Sequence, residues 1–308
     1  MVDESLISGA SADYNLRVTL IAGPTASGKS ALALRLAEER GAVVVNADSM
    51  QVYKELRVLT ARPSIMDEAR VPHRLYGMRP ASEAYSVADW LRDVAPLIAA
   101  ARQSGPPLVI VGGTGLYFKA LLEGLSPVPD IPPHIREAWR ARGHRSEAAE
   151  LHAELARRDP AMAAKLRPSD PQRILRALEV IEATGRSLGD WQEEESTGLL
   201  GAEEAEKLYL APPREVIYAR CNSRFEEMLA AGALEEVRHL MSLDLPSDLP
   251  AMRAHGVPHL LAHLRGQLSL EAALERTQLD TRHYVKRQLT WARRNMIAWK
   301  LISTQQSE

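Results

Sequence analysis

The sequence predicts an α/β fold in which helices cover both faces of a parallel sheet and an all-helical module is inserted into that core. Continuous apolar runs at 18–22, 42–45 and 108–111 are typical of strands buried on both faces, and helical spacing separates them. From about 123 to 205 strand-like runs are missing, and the composition shifts to Ala, Arg and Glu. We therefore expect a core of 16–122 and 206–308 around an inserted helical module of 123–205.

The turn after the first strand has the pattern G-x-x-x-x-G-K-[ST] of a P-loop, which predicts a P-loop NTPase-like core. In such a loop backbone N–H groups converge on phosphate oxygens, the lysine reaches a terminal phosphate and the small hydroxyl holds Mg²⁺. The ligand is expected to be a nucleotide or another diphosphate, with Mg²⁺ as cofactor. A chance loop that only caps the next helix is the alternative. The predicted phosphate-binding residues are Gly23, Pro24, Thr25, Ala26, Ser27, Gly28, Lys29 and Ser30.

Composition excludes several classes of protein. At 308 residues, with 45% hydrophobic and 25% charged residues, the chain resembles a globular protein with more than one module. Its single cysteine, Cys221, excludes an intramolecular disulfide and a cysteine-rich metal site, which suits a reducing cytosol. No apolar run approaches the roughly 20 residues of a membrane helix. We expect a cytoplasmic monomer without membrane contact, with a disordered leader at 1–15.

The second and third strands bring further polar residues to the edge of the sheet that holds the P-loop. Asp48 follows the second strand, so its carboxylate should face the same cleft as Lys29. Residues 54–86 are read as surface loops with short helices, and 87–101 as a helix. The third strand continues into Gly112-Gly113-Thr114-Gly115 and lacks the acidic residue that commonly binds Mg²⁺ in nucleotide-hydrolysing P-loop proteins. This argues against a plain ATPase.

Two basic regions indicate a polyanionic partner, although the net charge of −2 excludes a uniformly basic surface. Segment 281–300 holds six Lys or Arg and no acidic residue. On one helix, Arg282, Lys286, Arg293 and Lys300 would fall within about 40° of one another. A solvated face near a helix end is the alternative, but it usually carries compensating acids. The second region is the module, whose cations are Arg136, Arg140, Arg142, Arg145, Lys165, Arg167, Arg173 and Arg176.

The chain leaves the module through residues 193–206, which are acidic and are read as a solvated linker. Residues 207–211 should be a strand that returns to the core sheet, and long helices should complete the chain.

Five elements together resemble the tRNA dimethylallyltransferases, also called tRNA isopentenyltransferases. They are the P-loop, D-S-M-Q-V-Y at 48–53, G-G-T-G-L-Y at 112–117, D-P-Q-R-I-L-R-A-L-E at 170–179 and K-R-Q-L-T-W at 286–291. The P-loop alone is shared with many kinases, whereas the other four in this order are specific. The resemblance implies transfer of the dimethylallyl group of dimethylallyl diphosphate to N6 of the adenosine 3′ to the anticodon, with release of diphosphate. It also implies that the inserted helical module of 123–205 binds the anticodon stem-loop.

The resemblance suggests a role for each candidate residue. Asp48 is the expected general base, with an outer Mg²⁺ ligand as its alternative, and Ser30 is the first metal ligand. Thr114 should hydrogen-bond near N6 or Asp48. Lys29 and Arg224 should neutralise diphosphate, and Arg220 is the weaker candidate for the same role. The alternative for Arg224 and Arg220 is that each is simply an exposed arginine on a helix. The expected tRNA contacts are Asp48, Ser49, Met50, Gln51, Thr114, Arg136, Gln172, Arg173, Ile174, Leu175, Arg176, Arg253, Arg282, Lys286 and Arg293.

The sequence departs from the family pattern at two places, and three other functions are alternatives to this interpretation. Arg253-Ala254-His255-Gly256-Val257-Pro258-His259 lacks the Tyr and the second basic residue of R-x-x-G-Y-[RK]-Q, and Gly77 replaces an acidic residue often found after 73–75. A P-loop kinase would share the loop but would not need the module. A prenyltransferase for free adenine nucleotides would not need it either, and a non-catalytic RNA-binding protein would have no use for Lys29 or Asp48.

Overall fold

The computed structural model describes residues 17–302. It divides into two compact units, one of residues 17–122 with 199–302 and one of residues 123–198. The predicted leader at 1–15 lies outside the described residues. The first unit resumes at 199, earlier than the predicted 206, because Leu200 is already buried in its hydrophobic core. The acidic exit at 193–206 is therefore not a solvated linker throughout.

The first unit is built on the predicted parallel sheet. Its six strands are ordered β3-β2-β4-β1-β5-β6, and every neighbouring pair is parallel. The two edge strands, β3 and β6, have two and three residues and were not predicted. The strands are β1 Val18–Ala22, β2 Val43–Asn46, β3 His73–Arg74, β4 Leu108–Gly112, β5 Ala205–Leu210 and β6 Lys300–Ile302.

Helices cover both faces of this sheet. Successive residues of one strand point to opposite faces, so Leu20 joins one buried cluster and Ile21 the other. The α1 residue Leu36 packs on the Ile21 side, whereas Trp90 of α3 packs on the Leu20 side. The helices of this unit are α1 Lys29–Arg40, α2 Ile65–Arg70, α3 Val87–Arg102, α4 Gly115–Glu123, α10 Arg214–Ala230, α11 Ala233–Ser242, α12 Val257–Leu264 and α13 Leu270–Asn295.

The second unit, residues 123–198, is helical as predicted. Trp139, Leu151, Leu155 and Ile174 share one hydrophobic cluster. Glu154 is buried beside that cluster and is ion-paired with arginines 142, 157 and 158, so part of the basic surface predicted here neutralises an internal acid. Its helices are α5 Pro133–Gly143, α6 Ala148–Arg158, α7 Pro160–Lys165, α8 Pro171–Thr184 and α9 Leu188–Gln192.

One sequence prediction about the basic helix is wrong. Helix α13 ends at Asn295, and Lys300 begins strand β6, which pairs with Leu208 of β5. Lys300 therefore does not continue the stripe of Arg282, Lys286 and Arg293. Within residues 17–302 no helix combines the length and apolarity required to cross a membrane.

The carboxyl ends of β2 and β4 approach so closely that only glycine fits at 112. A Cβ there would lie 2.0 Å from the carbonyl oxygen of Ala47. We expect Gly112→Ala to lower the free energy of unfolding by about 1–3 kcal/mol, because the overlap is with backbone and no side-chain rotation relieves it. Thermal unfolding measures this. In the control Gly189→Ala the new Cβ has its nearest neighbour at 3.3 Å, so its midpoint should hardly change. Equal midpoints for the two variants would contradict the close approach.

Candidate functional site

The P-loop is folded as an anion cradle at the carboxyl edge of the sheet. Ala26 and Gly28 have positive φ angles of 60° and 89°, which turn the chain sharply before α1 begins at Lys29. Gly28 caps that helix without a side-chain hydrogen bond, so its first N–H groups are left for an anionic ligand. The buried hydroxyl of Ser27 has no hydrogen-bond partner among the described residues. The loop thus presents unpaired donors where the pattern predicts phosphate.

Lys29 is a desolvated cation within this cradle. Its Nζ donates to the carbonyl oxygen of Pro24 at 3.2 Å. The pKa of Lys29 is lowered to about 8, chiefly by burial; the charge of Asp48 opposes this shift and the charge of Arg224 adds to it. The charges of Asp48 and Arg224 therefore both act on Lys29. An anionic ligand would relieve the repulsion between the two cations.

Asp48 is fixed just beyond β2 by local hydrogen bonds. Its N–H donates to Asn46 Oδ1 at 2.8 Å, and its Oδ1 accepts from the N–H of Met50 at 3.0 Å. Asn46 is itself buried and donates back to the Asp48 carbonyl at 2.9 Å. The second carboxylate oxygen, Oδ2, lies 3.4 Å from the position that a Cβ would take at Gly113. One oxygen thus orients the group, and the other faces the glycine turn after β4.

Thr114 ties this glycine turn to the Asp48 loop. Its N–H donates to the carbonyl of Ala47 at 3.3 Å, and its Oγ1 accepts from the N–H of Ser49 at 3.0 Å. The Thr114 hydroxyl is also 3.3 Å from the Ser49 hydroxyl. Thr114 therefore holds the residue next to Asp48, which is compatible with both roles that the sequence left open for it.

Gln288 of α13 connects the two glycine turns. Its Oε1 accepts from the N–H of Thr25 at 3.1 Å, and its Nε2 donates to the carbonyl of Gly113 at 2.9 Å. A Cβ at Gly113 would lie 2.7 Å from Nε2, so a larger residue there would displace the Gln288 amide. The sequence placed Gln288 in a family motif but gave it no role, because no local spacing relates it to either loop.

A cavity of about 290 Å³ opens beside Asp48. Of the predicted site residues, it brings together Thr25, Asp48, Ser49, Met50, Arg224 and Arg253. Arg224 is half-buried, and burial lowers its pKa. Arg220, one turn earlier on α10, is exposed and does not line the cavity. The structure therefore favours Arg224 over Arg220 as the second cation.

Sequence reasoning missed most of the residues that line this cavity, among them His255, Tyr284 and Arg287. Tyr284 and Arg287 also line a neighbouring, largely apolar cavity of about 230 Å³. Their neighbours in that second cavity include Phe118, Tyr209, Trp291 and Met296. Arg287 lies in the basic segment 281–300, so the sequence did indicate a cation there. The helical spacing, however, selected Arg282, Lys286, Arg293 and Lys300 as the basic stripe.

Several predicted tRNA contacts lie elsewhere. Gln51 donates to the carbonyls of Thr60 and Ala61 at 2.8 and 3.0 Å, so its amide is used within the first unit. Arg282 is half-buried and donates to Asn222 at 3.1 Å. On α13, Lys286 and Arg293 are exposed.

The remaining predicted tRNA contacts belong to the second unit and divide by exposure. Gln172 and Arg173 are exposed. Arg136, Leu175 and Arg176 are half-buried, and Arg176 is 3.6 Å from Glu179. Ile174 is fully buried in the hydrophobic core of this unit. Ile174 therefore cannot contact tRNA directly, because its side chain is a core residue of α8.

Gly77, the first departure from the family pattern, has a local structural reason. Its φ is 53°, and a Cβ there would lie 2.1 Å from a guanidinium nitrogen of Arg62. The N–H of Gly77 donates to the Gln51 carbonyl at 2.9 Å. A glycine at this position thus lets Arg62 pack against the turn that follows Asp48.

Comparisons with known proteins agree with the resemblance found in the sequence. A family model for IPP transferase matches residues 51–295, and one for isopentenyl transferase matches residues 16–84. A tRNA dimethylallyltransferase of Nitrobacter hamburgensis is 55% identical over 289 residues, covering 94% of this chain and 91% of its own. Another, from Rhodopseudomonas palustris, is 56% identical over 280 residues, with coverage of 91% and 89%.

Two solved structures share the fold. The full-length tRNA isopentenylpyrophosphate transferase from Bacillus halodurans has a TM-score of 0.66 at 30% identity, covering 95% of this chain and 91% of its own. A eukaryotic dimethylallyltransferase acting on tRNA has a TM-score of 0.79 at 25% identity, covering 93% and 73%. The predicted α/β class is thereby confirmed.

The lowered pKa of Lys29 predicts how diphosphate binding depends on pH. Below about pH 8 the side chain is protonated and attracts the anion; above it the charge is lost. The affinity for an alkyl diphosphate should therefore fall by up to about tenfold per pH unit above that value. Titration calorimetry across pH measures this. Lys29→Arg should bind with little pH dependence in the same range, and an identical decline in that variant would assign the titration to another group.

Proposed function

The chain belongs to the IPP transferase family of tRNA dimethylallyltransferases, and we propose on that premise that it transfers a dimethylallyl group to tRNA. The donor is dimethylallyl diphosphate, and the acceptor is N6 of the adenosine 3′ to the anticodon. The observation that carries the proposal is the grouping of one carboxylate with two desolvated cations: Asp48 and Arg224 line the same cavity, and the charges of both act on Lys29. A reaction that removes a proton from an amine and releases diphosphate needs both kinds of group.

The P-loop and the two cations would bind the diphosphate as a leaving group. The N–H groups at the start of α1 and the unpaired Ser27 hydroxyl supply neutral donors. Lys29 and Arg224 supply positive charge that acts more strongly as the bond from C1 to oxygen breaks, because negative charge then grows on the diphosphate. Arg220 is exposed, and we assign it no direct contact with the donor.

Asp48 would act as the general base. The N6 nitrogen forms a bond to C1 of the dimethylallyl group, the bond from C1 to the diphosphate oxygen breaks, and the N6 proton passes to the carboxylate. The hydrogen bonds from Met50 and the Asp48 N–H to Asn46 fix the group for this transfer. Thr114 positions the same loop through Ser49. Diphosphate then leaves with both electrons of the broken bond.

Mg²⁺ is proposed as the cofactor, and the residues present fit it. Ser30 offers an exposed hydroxyl in the first turn of α1, and Asp48 is the candidate for a carboxylate ligand. Among residues 17–302 no group of three His, Cys, Asp or Glu side chains could enclose a metal ion. Such a sparse donor set suits Mg²⁺, which keeps several waters and binds substrate phosphates. The ion would add positive charge to the leaving diphosphate.

The tRNA would be held chiefly through its phosphates. Exposed cations suited to that contact are Lys286 and Arg293 on α13 and Arg173 on α8. Base recognition is assigned to the cavity of Asp48, where Met50 and Arg253 are also exposed to a ligand. Unstacked RNA bases are typically recognised by stacking and by contacts to their polar edges. Phosphate contacts made by surface cations and base contacts made in the cavity agree with this kind of recognition.

Asp48→Asn should lower turnover by roughly 10²–10⁴ while leaving diphosphate and tRNA binding nearly unchanged, because it removes the base but keeps the shape. Labelled dimethylallyl diphosphate is offered with an anticodon stem-loop, with AMP and with no acceptor. The wild type should label the stem-loop alone. Labelling of AMP would favour the free-nucleotide rival, and near-normal single-turnover transfer by Asp48→Asn would remove the general-base role.

Lys286→Ala and Arg293→Ala should each weaken binding of the stem-loop and flatten its salt dependence. Each lost phosphate contact reduces the slope of log affinity against log salt by up to about one unit. Fluorescence anisotropy across a salt series measures the slope. Arg92→Ala removes an exposed cation of α3 that is paired with Asp89 and serves as the control. Slopes that match the wild type in both α13 variants would exclude this helix from the tRNA contact.

A further inference from the structure

His255 occupies a turn that directs it into the cavity of Asp48. The turn lies between the 3-10 helix Pro250–Arg253 and α12. Gly256 has a φ of 93°, and a Cβ there would lie 2.9 Å from Phe225 and 3.1 Å from Leu59. Only glycine at this position therefore allows the turn to pack this closely against Phe225 of α10. This close packing fixes the residue before it, and His255 lines the cavity.

The His255 ring is packed but its polar atoms are not used. Its centroid is 4.6 Å from that of Tyr284 at an interplanar angle of 51°, and the Arg287 guanidinium lies 5.6 Å from the Tyr284 centroid. Among residues 17–302 neither ring nitrogen of His255 has a hydrogen-bond partner. Four other histidines do bond through a ring nitrogen, namely His73, His152, His259 and His263. This tilted ring contact thus holds the imidazole while leaving a donor and an acceptor free.

The surroundings of the ring favour its neutral form. Burial lowers the pKa of His255, the charges of Arg287 and His259 lower it further, and Asp280 and Asp48 only partly oppose them. A neutral imidazole carries one N–H donor and one acceptor nitrogen. The arginines of the same cavity offer donors only, whereas His255, like the hydroxyl side chains that also line it, can both donate and accept at a nucleobase edge.

We propose that His255 is a specificity-determining residue that hydrogen-bonds the polar edge of the acceptor adenine. Adenine presents its N6 amine between two ring acceptors, N1 and N7. Because Asp48 must reach N6, these ring nitrogens lie in the same cavity, and the His255 N–H is placed to donate to one of them. The inference rests on the proposed function and adds to it the residue that recognises the base.

The test pairs substrate atoms with enzyme variants. Stem-loops carry adenine, 1-deazaadenine or 7-deazaadenine at the acceptor position, each of which keeps N6. For the wild type, removal of the contacted nitrogen should lower kcat/KM by roughly 10- to 100-fold. His255→Phe keeps the ring against Tyr284 but cannot hydrogen-bond. It should lower kcat/KM for adenine by a similar factor, show no further loss with the deaza base, and leave the KM for dimethylallyl diphosphate unchanged.

Controls separate recognition from packing. His255→Gln retains an amide donor and acceptor and should recover part of the lost activity. His259→Phe lies four residues later outside the cavity and should behave as the wild type on all three bases. If His255→Phe matches the wild type on adenine, or if the wild type tolerates both deaza bases, the proposal is overturned. If the wild type fails to label the adenine stem-loop at all, the proposed function itself fails.

Discussion

The site depends on the amide of Gln288, which joins two loops that belong to different strands. Its contacts to Thr25 and Gly113 span 263 and 175 positions of sequence. One loop presents an N–H and the other a carbonyl, so the bridging group must accept and donate at once without charge. A glutamate could not donate, and a lysine could not accept. The amide thus holds the P-loop at a fixed distance from the turn that faces Asp48.

The positive charges of the site are not fully compensated by the side chains around them. Desolvation costs the fold free energy at Lys29 and Arg224, and the two cations repel each other. Asp48 offsets only part of that cost, because its charge raises the pKa of Lys29 by less than burial lowers it. A bound diphosphate would compensate both cations. Groups oriented in advance need not reorganise while charge develops on the leaving group, which is how such sites lower a barrier.

The sequence could predict what is local. Strands β1, β2 and β4, the P-loop and the position of Asp48 were evident because a few consecutive residues determine each. Strands of two and three residues carry no periodic signal, and α13 was extended to Lys300 because its helical spacing continues where the chain has already turned into β6. Gln288 and His255 acquire their meaning from partners far along the chain. No spacing rule reports such contacts, so the walls of the cavity were the part that only the structure supplied.

The departure from the family pattern at 257–259 separates residues that pack helix α12 from residues that face the cavity. Val257 is fully buried at the start of α12, where its side chain packs in the core. Pro258 lies in the first turn of that helix, where no N–H is required. His259 lies 2.8 Å from Asp280 and so ties α12 to α13. All three serve the helix, whereas the cavity is faced by Arg253 and His255 upstream of Gly256. Sequence change after the glycine therefore alters helix packing, and change before it alters what the cavity presents to a substrate.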